Sequence, residues 1–180
     1  MKDKGCFMRN KSSIEFYNMI FPIWLIWLFP LTWIIILPGN FIIDSLVLLI
    51  TLKVLNINEK KNIYKKTILK VWGYGFLADL IGTIIMIIPG TIENFLSGAT
   101  KEWWYKNLTM PVSYSPFDNI YSVAWILFAT IITSFFIYLF NYKSSLKHLS
   151  IEEKSKKKLA LSLAIFTAPY LFFLPTMWFY

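Results

Sequence analysis

The sequence predicts an all-α, polytopic membrane protein: a bundle of five transmembrane helices with a cytoplasmic N-terminus and an external C-terminus. Three observations carry this reading. Runs of 28 residues (Phe16 to Ile43), 24 (Asn119 to Tyr142) and 22 (Leu159 to Tyr180) hold no Asp, Glu, Lys or Arg, and the run Val71 to Ile92 holds only Asp79. About 20 apolar residues suffice to cross ~30 Å of hydrocarbon. Sixteen of the eighteen Lys and Arg residues fall into three clusters that separate those runs. The apolar runs are also continuous, whereas β-barrel strands alternate apolar and polar positions over ~10 residues.

The expected helical segments are 18–38, 40–57, 68–89, 117–141 and 159–179, all in one helical membrane domain, 1–180. With 57% hydrophobic residues and mean hydropathy +0.55, little chain is left for a soluble domain of ~50 residues or more.

Segment one follows Lys2, Lys4, Arg9 and Lys11, as a secretory signal would. Its apolar part exceeds the ~7–15 residues of such a signal, and Ile36-Leu37-Pro38-Gly39-Asn40 offers no small-residue cleavage site, so it reads as a retained helix, kinked at Pro30. Pro38-Gly39-Asn40 signals a tight turn into segment two. Segment two contains Asp44 and Lys53, and the charge pattern decides that it spans. If it does, the N-terminal tail, the 53–70 region and the 143–158 loop share one side, and the other side holds only Lys101 and Lys106. That is the positive-inside arrangement.

Segment three carries Gly75, Ala78 and Gly82 at helical spacing, and segment five carries Ala160, Ala164 and Ala168. Apolar side chains gain nothing by leaving lipid for another helix, so association relies on small residues that admit close packing. Segment four offers a weaker strip, Ala129 and Thr133, and opens on Ser115-Pro116-Phe117-Asp118, with Ser as N-cap, Pro at N1 and an acid at N3. Pro169 is expected to kink segment five. The connector from Thr91 to Tyr114 is the sizeable external loop, and its Lys101-Glu-Trp-Trp-Tyr-Lys106 stretch is expected to lie along the membrane surface.

The net charge of +8 reflects Lys beside membrane segments rather than a nucleic-acid surface, because no basic stretch is interleaved with aromatic stacking platforms. The expected partners are therefore a bilayer with anionic headgroups and a homo- or hetero-oligomeric membrane partner, with no nucleic acid. Cys6 is the single cysteine, which excludes an intramolecular disulfide. Seventeen Lys against one Arg suggests an AT-rich genome and, with the hydropathy, a bacterial plasma membrane.

Chemistry concentrates at two acids inside apolar segments, Asp44 and Asp79. A charged side chain at the bilayer centre costs about 2.5–3.5 kcal/mol on insertion scales and must face protein or water. Asp79 follows Ala78 and lies one turn from Gly75, while Asp44 forms a polar stripe with Asn40 and Thr51. Asp44 lies nearer the external side than Asp79 by several ångströms, which disfavours a proton-sharing dyad. His148 is the only histidine, no HExxH, CxxC or GxSxG stretch occurs, and neither a cofactor nor a metal site is expected.

Three functions compete: a non-enzymatic subunit or partner in a membrane assembly, favoured by the small-residue faces; an ion- or proton-coupled carrier or channel using Asp44 and Asp79; and, least favoured, an intramembrane enzyme. A cavity around Asp79 distinguishes them. Open space beside the acid favours transport, and tight packing favours structure.

The charge pattern yields a direct test. With Cys6 removed, a single cysteine in place of Lys101 should react with a membrane-impermeant thiol reagent in intact cells, and one in place of Lys61 should not. Labelling at position 61 would overturn the orientation.

Overall fold

The computed structural model describes Pro22 and residues 33–179, and there the chain is all-helical. The helices are α1 (Trp33–Val54), α2 (Lys60–Glu93), α3 (Gly98–Trp104), α4 (Met110–Ser113), α5 (Ile120–Phe140) and α6 (Glu153–Phe166). A wide π-type turn, Tyr105–Thr109, joins α3 to α4, and another, Asn141–Ser145, extends α5. Short 3₁₀ turns occupy Pro116–Asp118, Tyr170–Phe173 and Thr176–Trp178. Three helical stretches, Trp33–Val54, Lys60–Glu93 and Ile120–Ser145, are long and apolar enough to cross a membrane. Most of the first expected segment, with Pro30, Cys6 and the basic tail, lies outside the described residues.

Four helices close a ring. α2 packs on α1 and α5, and α6 packs on the far sides of the same two. Two apolar cores fill it at different heights. One gathers Leu48, Leu52, Ile63, Ile68, Leu146 and Leu159 near the α1–α2 and α5–α6 connections, and the other gathers Met86, Leu108, Val112, Ile126 and Phe172 towards the opposite end. The connections 55–59 and 146–152, flanked by the Lys clusters at 53–70 and 143–158, therefore meet at one end of the bundle, where they share a cleft.

The α1–α2 connection follows from local chemistry. Asn56 takes the left-handed conformation (φ 50°), which short polar Asn tolerates. Its N–H reaches Lys53 O (3.1 Å) while Ile57 N–H reaches Leu52 O (3.2 Å), and Leu52 and Ile57 are both buried. This pair of backbone bonds with its apolar contact is a Schellman stop, and it turns the chain back along α1. At the α5–α6 end the Tyr142 hydroxyl donates to Glu153 Oε1 (2.5 Å). That bond, with the nearby Lys156 and Lys157, holds the Glu153 carboxyl below its ordinary range.

Four expectations need correction. Pro38-Gly39-Asn40 does not turn; α1 runs straight through it. Proline inside a helix removes one backbone donor, and packing against a neighbour can offset that. Here Trp72 Nε1 donates to Leu37 O (2.9 Å) and Asn40 reaches α2, so tertiary links override the turn signal. Segment five is not one helix: α6 stops at Phe166, and Pro169 ends it rather than kinking it. The freed Ile165 carbonyl, four residues before Pro169, accepts the Tyr170 hydroxyl (2.6 Å). Ser115-Pro116-Phe117-Asp118 forms a 3₁₀ turn, and Asn119 caps α5 instead, its Oδ1 accepting Tyr121 N–H (3.0 Å). Finally, the Gly75–Ala78–Gly82 ladder serves more than one neighbour. Gly75 faces Asp44, whereas Gly82 faces Thr133 and the Phe172 ring.

The 98–113 stretch packs by its own apolar side. Leu108 and Val112 are buried against the second core, and Trp104 Nε1 donates to Pro89 O (2.9 Å). Trp103, Tyr105, Lys101 and Lys106 stay largely outside. Pro89 itself frees Ile85 O, which accepts Trp125 Nε1–H (3.2 Å) from α5.

Gly82 is the tightest of the described glycines. A Cβ there would collide with Thr133 Oγ1 and lie 2.8 Å from Phe172, whereas one on Gly73 would meet nothing within 4 Å. Overpacking typically costs about 1–3 kcal/mol, and Gly→Ala in an open helix gains about 0.5–1 kcal/mol. Gly82→Ala should therefore lower the thermal unfolding midpoint in detergent, and Gly73→Ala should hold or raise it. Equal midpoints would place Phe172 away from α2.

Candidate functional site

The antiparallel pairing of α1 and α2 sets the register of the polar residues. Asn40 Nδ2 donates to Asp79 Oδ2 (3.3 Å), and one turn along, Asp44 Oδ2 lies 3.4 Å from where a Gly75 Cβ would stand. Glycine at position 75 leaves room for the Asp44 carboxylate against α2. Asp44 and Asp79 thus sit about a turn apart in height, but in the reverse of the expected order. Asp79, level with Asn40, lies farther from the Lys-rich end than Asp44, because the antiparallel register pairs Asp44 with Gly75. Both line one cavity of about 420 Å³ together with Asn40 and Gly75. Both acids are nearly inaccessible, at 5% and 4% relative exposure.

The rest of the wall comes from the broken end of α6. Phe166, Thr167 and Ala168 line the cavity, followed by Pro169, Tyr170, Phe173 and Trp178 of the irregular segment. A straight helix from 159 to 179 would present a closed side to α1. Stopping α6 at Phe166 leaves the space instead, and Pro175 with Pro169 keeps the chain beyond it out of α-helix. Phe172 anchors this segment, fully buried in the second core, and Met177 N–H donates to Tyr114 O (3.2 Å).

Three buried side-chain atoms lack a hydrogen-bond partner among the described residues, Asp79 Oδ1, Asn141 Oδ1 and Ser145 Oγ, and of these residues Asp79 lines the cavity. Most buried polar groups here satisfy themselves within their own helix: Thr67, Thr83, Thr130 and Thr133 each donate to the carbonyl four residues earlier, at 2.8–2.9 Å. Asp79 Oδ1 is buried and has no hydrogen-bond partner among the described residues. A buried acceptor left bare costs about 1–3 kcal/mol, and more when charged. Asn40 holds one oxygen of Asp79, and the other is buried without a partner among the described residues, on a residue that lines the cavity.

The remaining sequence candidates fall elsewhere. Thr51 belongs to the same stripe of α1 but bonds Ser162 of α6 (2.7 Å), tying α1 to α6 about two turns from Asp44. Ala160 and Ala164 are buried in the first core and Ala168 lies at the cavity wall, so the alanine face of α6 is occupied inside the bundle. Ala78 is fully buried in the same core. His148 lines the cleft at the Lys-rich end, together with Glu59 and Glu152. No group of three His, Cys, Asp or Glu that could hold a metal ion occurs among the described residues. Sequence reasoning missed the cavity wall from Thr167 to Trp178; its signal was the Pro169–Pro175 pair at the end of an otherwise apolar run.

The pairing is testable by crosslinking. In a Cys6-free background, Asn40→Cys with Asp79→Cys should crosslink under mild oxidation or with a short bifunctional reagent. Ile42→Cys with Asp79→Cys should not, because Ile42 is 57% exposed. Equal yields from the two pairs would separate Asn40 from Asp79.

Comparison of the chain with protein-family profiles, with curated proteins and with solved structures finds no match in any of the three.

Proposed function

We propose that this chain is a small multi-pass protein of a bacterial plasma membrane that takes up a cationic or protonatable solute at Asn40, Asp44 and Asp79, working as a carrier or channel. The single observation behind the proposal is the unpartnered Asp79 Oδ1 on a residue that lines open space inside an apolar bundle. Ionisable residues at membrane depth face interiors or cavities and commonly mark ion and proton pathways. The helix break supports the same reading, since irregular backbone at membrane depth is tolerated where it is buried or lines a cavity. Carriers use the ends of interrupted helices in this way to build ion sites.

The proposed topology has five crossings, with the N-terminus cytoplasmic and the C-terminus external. The Lys-rich end, where 55–59 meets 146–152, would face the cytoplasm and contact anionic headgroups. The fifth crossing would be made by α6 and the two 3₁₀ turns together. The competing reading, a non-enzymatic subunit of a larger assembly, rests on small-residue faces. Ala160 and Ala164 are already occupied within this chain, so the cavity weighs more. A carrier of this size would work through binding and passage rather than bond chemistry.

The test is flux. Proteoliposomes enclosing a pH-reporting dye, given outward gradients of Na⁺, K⁺ or an alkylammonium, should change internal pH faster than protein-free vesicles. Asp79→Asn preserves size and hydrogen bonding but removes the charge, and should cut that rate at least about tenfold, a change of ~1.4 kcal/mol in the barrier. Yield and helix content should stay unchanged. Wild-type vesicles that behave as empty ones, or an Asn variant as fast as wild type, would overturn the proposal.

A further inference from the structure

Building on that reading, we propose that the cavity beside α6 is a binding site for an amphipathic organic cation, an ammonium carrying an aromatic or branched apolar body. A bare metal ion or a proton alone fits it less well. The sign of charge comes first. Among the described residues, Asp44 and Asp79 are the carboxylates on its wall, and no Lys, Arg or His lines it. The C-terminal end of α6, at Phe166 and Thr167, adds the partial negative charge of a helix C-terminus.

Size comes second. About 420 Å³ lies within the range of pockets that take small organic molecules, and the lining is mostly apolar with a few convergent polar groups, as in such pockets. A hard metal cation instead needs about six or more oxygens drawn close around it. The polar lining is concentrated at Asn40, Asp44 and Asp79, on the α1–α2 side.

The rim is the third argument. Phe117, Phe166, Tyr170 and Trp178 line the cavity while remaining 57–67% exposed, so aromatic surface continues from the acids to the outside of the bundle. Aromatic faces attract cations through their quadrupole and give an apolar body contact area as well. A molecule with a charged head and an apolar body matches this gradient from polar floor to aromatic mouth. Asp79, which lines the cavity, carries a buried Oδ1 with no partner among the described residues, and its carboxyl with that of Asp44 is the charge the head would meet.

The probe is benzyltrimethylammonium, with neopentylbenzene as its neutral isostere, and the sample is the full chain in nanodiscs of zwitterionic lipid. Equilibrium dialysis of labelled benzyltrimethylammonium should show saturable binding, displaced by unlabelled probe at least about tenfold better than by the isostere or by equimolar Na⁺. Asp44→Asn with Asp79→Asn should abolish binding. Trp178→Ala, at the exposed rim, should weaken it by about threefold or more. Should the double variant fail to fold, the isostere comparison and the Trp178 variant still decide the matter on a folded protein. Absent saturation, equal displacement by the isostere, or full displacement by equimolar Na⁺ would overturn the inference. Flux in proteoliposomes without ammonium binding would sink this ligand class and leave the carrier reading standing. Saturable binding without flux would do the reverse.

Discussion

The structure depends on how two carboxylates are held inside an apolar bundle. Burying an acid among Ile, Leu and Phe is tolerable only with a partner or with space for water or a ligand. Asn40 supplies the partner for one oxygen of Asp79, and that bond fixes the α1–α2 register. With Asn40 level with Asp79, Asp44 falls opposite Gly75, where a Cβ would lie 3.4 Å from Asp44 Oδ2. The same requirement keeps α1 helical through Pro38-Gly39, because a turn there would carry Asn40 away from α2.

A second constraint is the fate of backbone carbonyls freed by proline. Pro89 leaves Ile85 O without its helical donor, and the Trp125 indole supplies one from α5. Pro169 leaves Ile165 O, and the Tyr170 hydroxyl supplies another from the next turn. The two solutions have different consequences. At Pro89 the donor comes from a neighbouring helix and α2 continues to Glu93; at Pro169 it comes from the following residue, and α6 ends. The cavity results from the second outcome.

Packing and polarity then divide the bundle by height. The first core, with Leu48, Leu52 and Leu159, seals the Lys-rich end; the second, with Met86, Ile126 and Phe172, supports the opposite one. Phe172 belongs to the irregular segment yet sits fully buried over Gly82, which holds the cavity wall in place without a helix. The geometry thus combines a rigid floor, Asn40 and Asp79 on long helices, with a wall set by one aromatic anchor.

The sequence by itself determined the helical class, the long apolar stretches and the two acids worth asking about, because continuous hydrophobicity and isolated charge are local properties. Thr51 and Asn40 were legible as a stripe with Asp44 for the same reason: the helical period alone places them together. What each residue meets was decided only in three dimensions. Pro38-Gly39-Asn40 reads as a turn in isolation, and only the bonds from Trp72 and to Asp79 make helix the better state. Ala160 and Ala164 read equally well as an outward or inward face, and their burial in the first core settled which. The cavity was beyond one-dimensional reading altogether, since its floor and wall come from residues as far apart as Asn40 and Trp178. Whether a proline kinks a helix or ends it turns on which donor reaches the freed carbonyl, and that is a fact of tertiary structure.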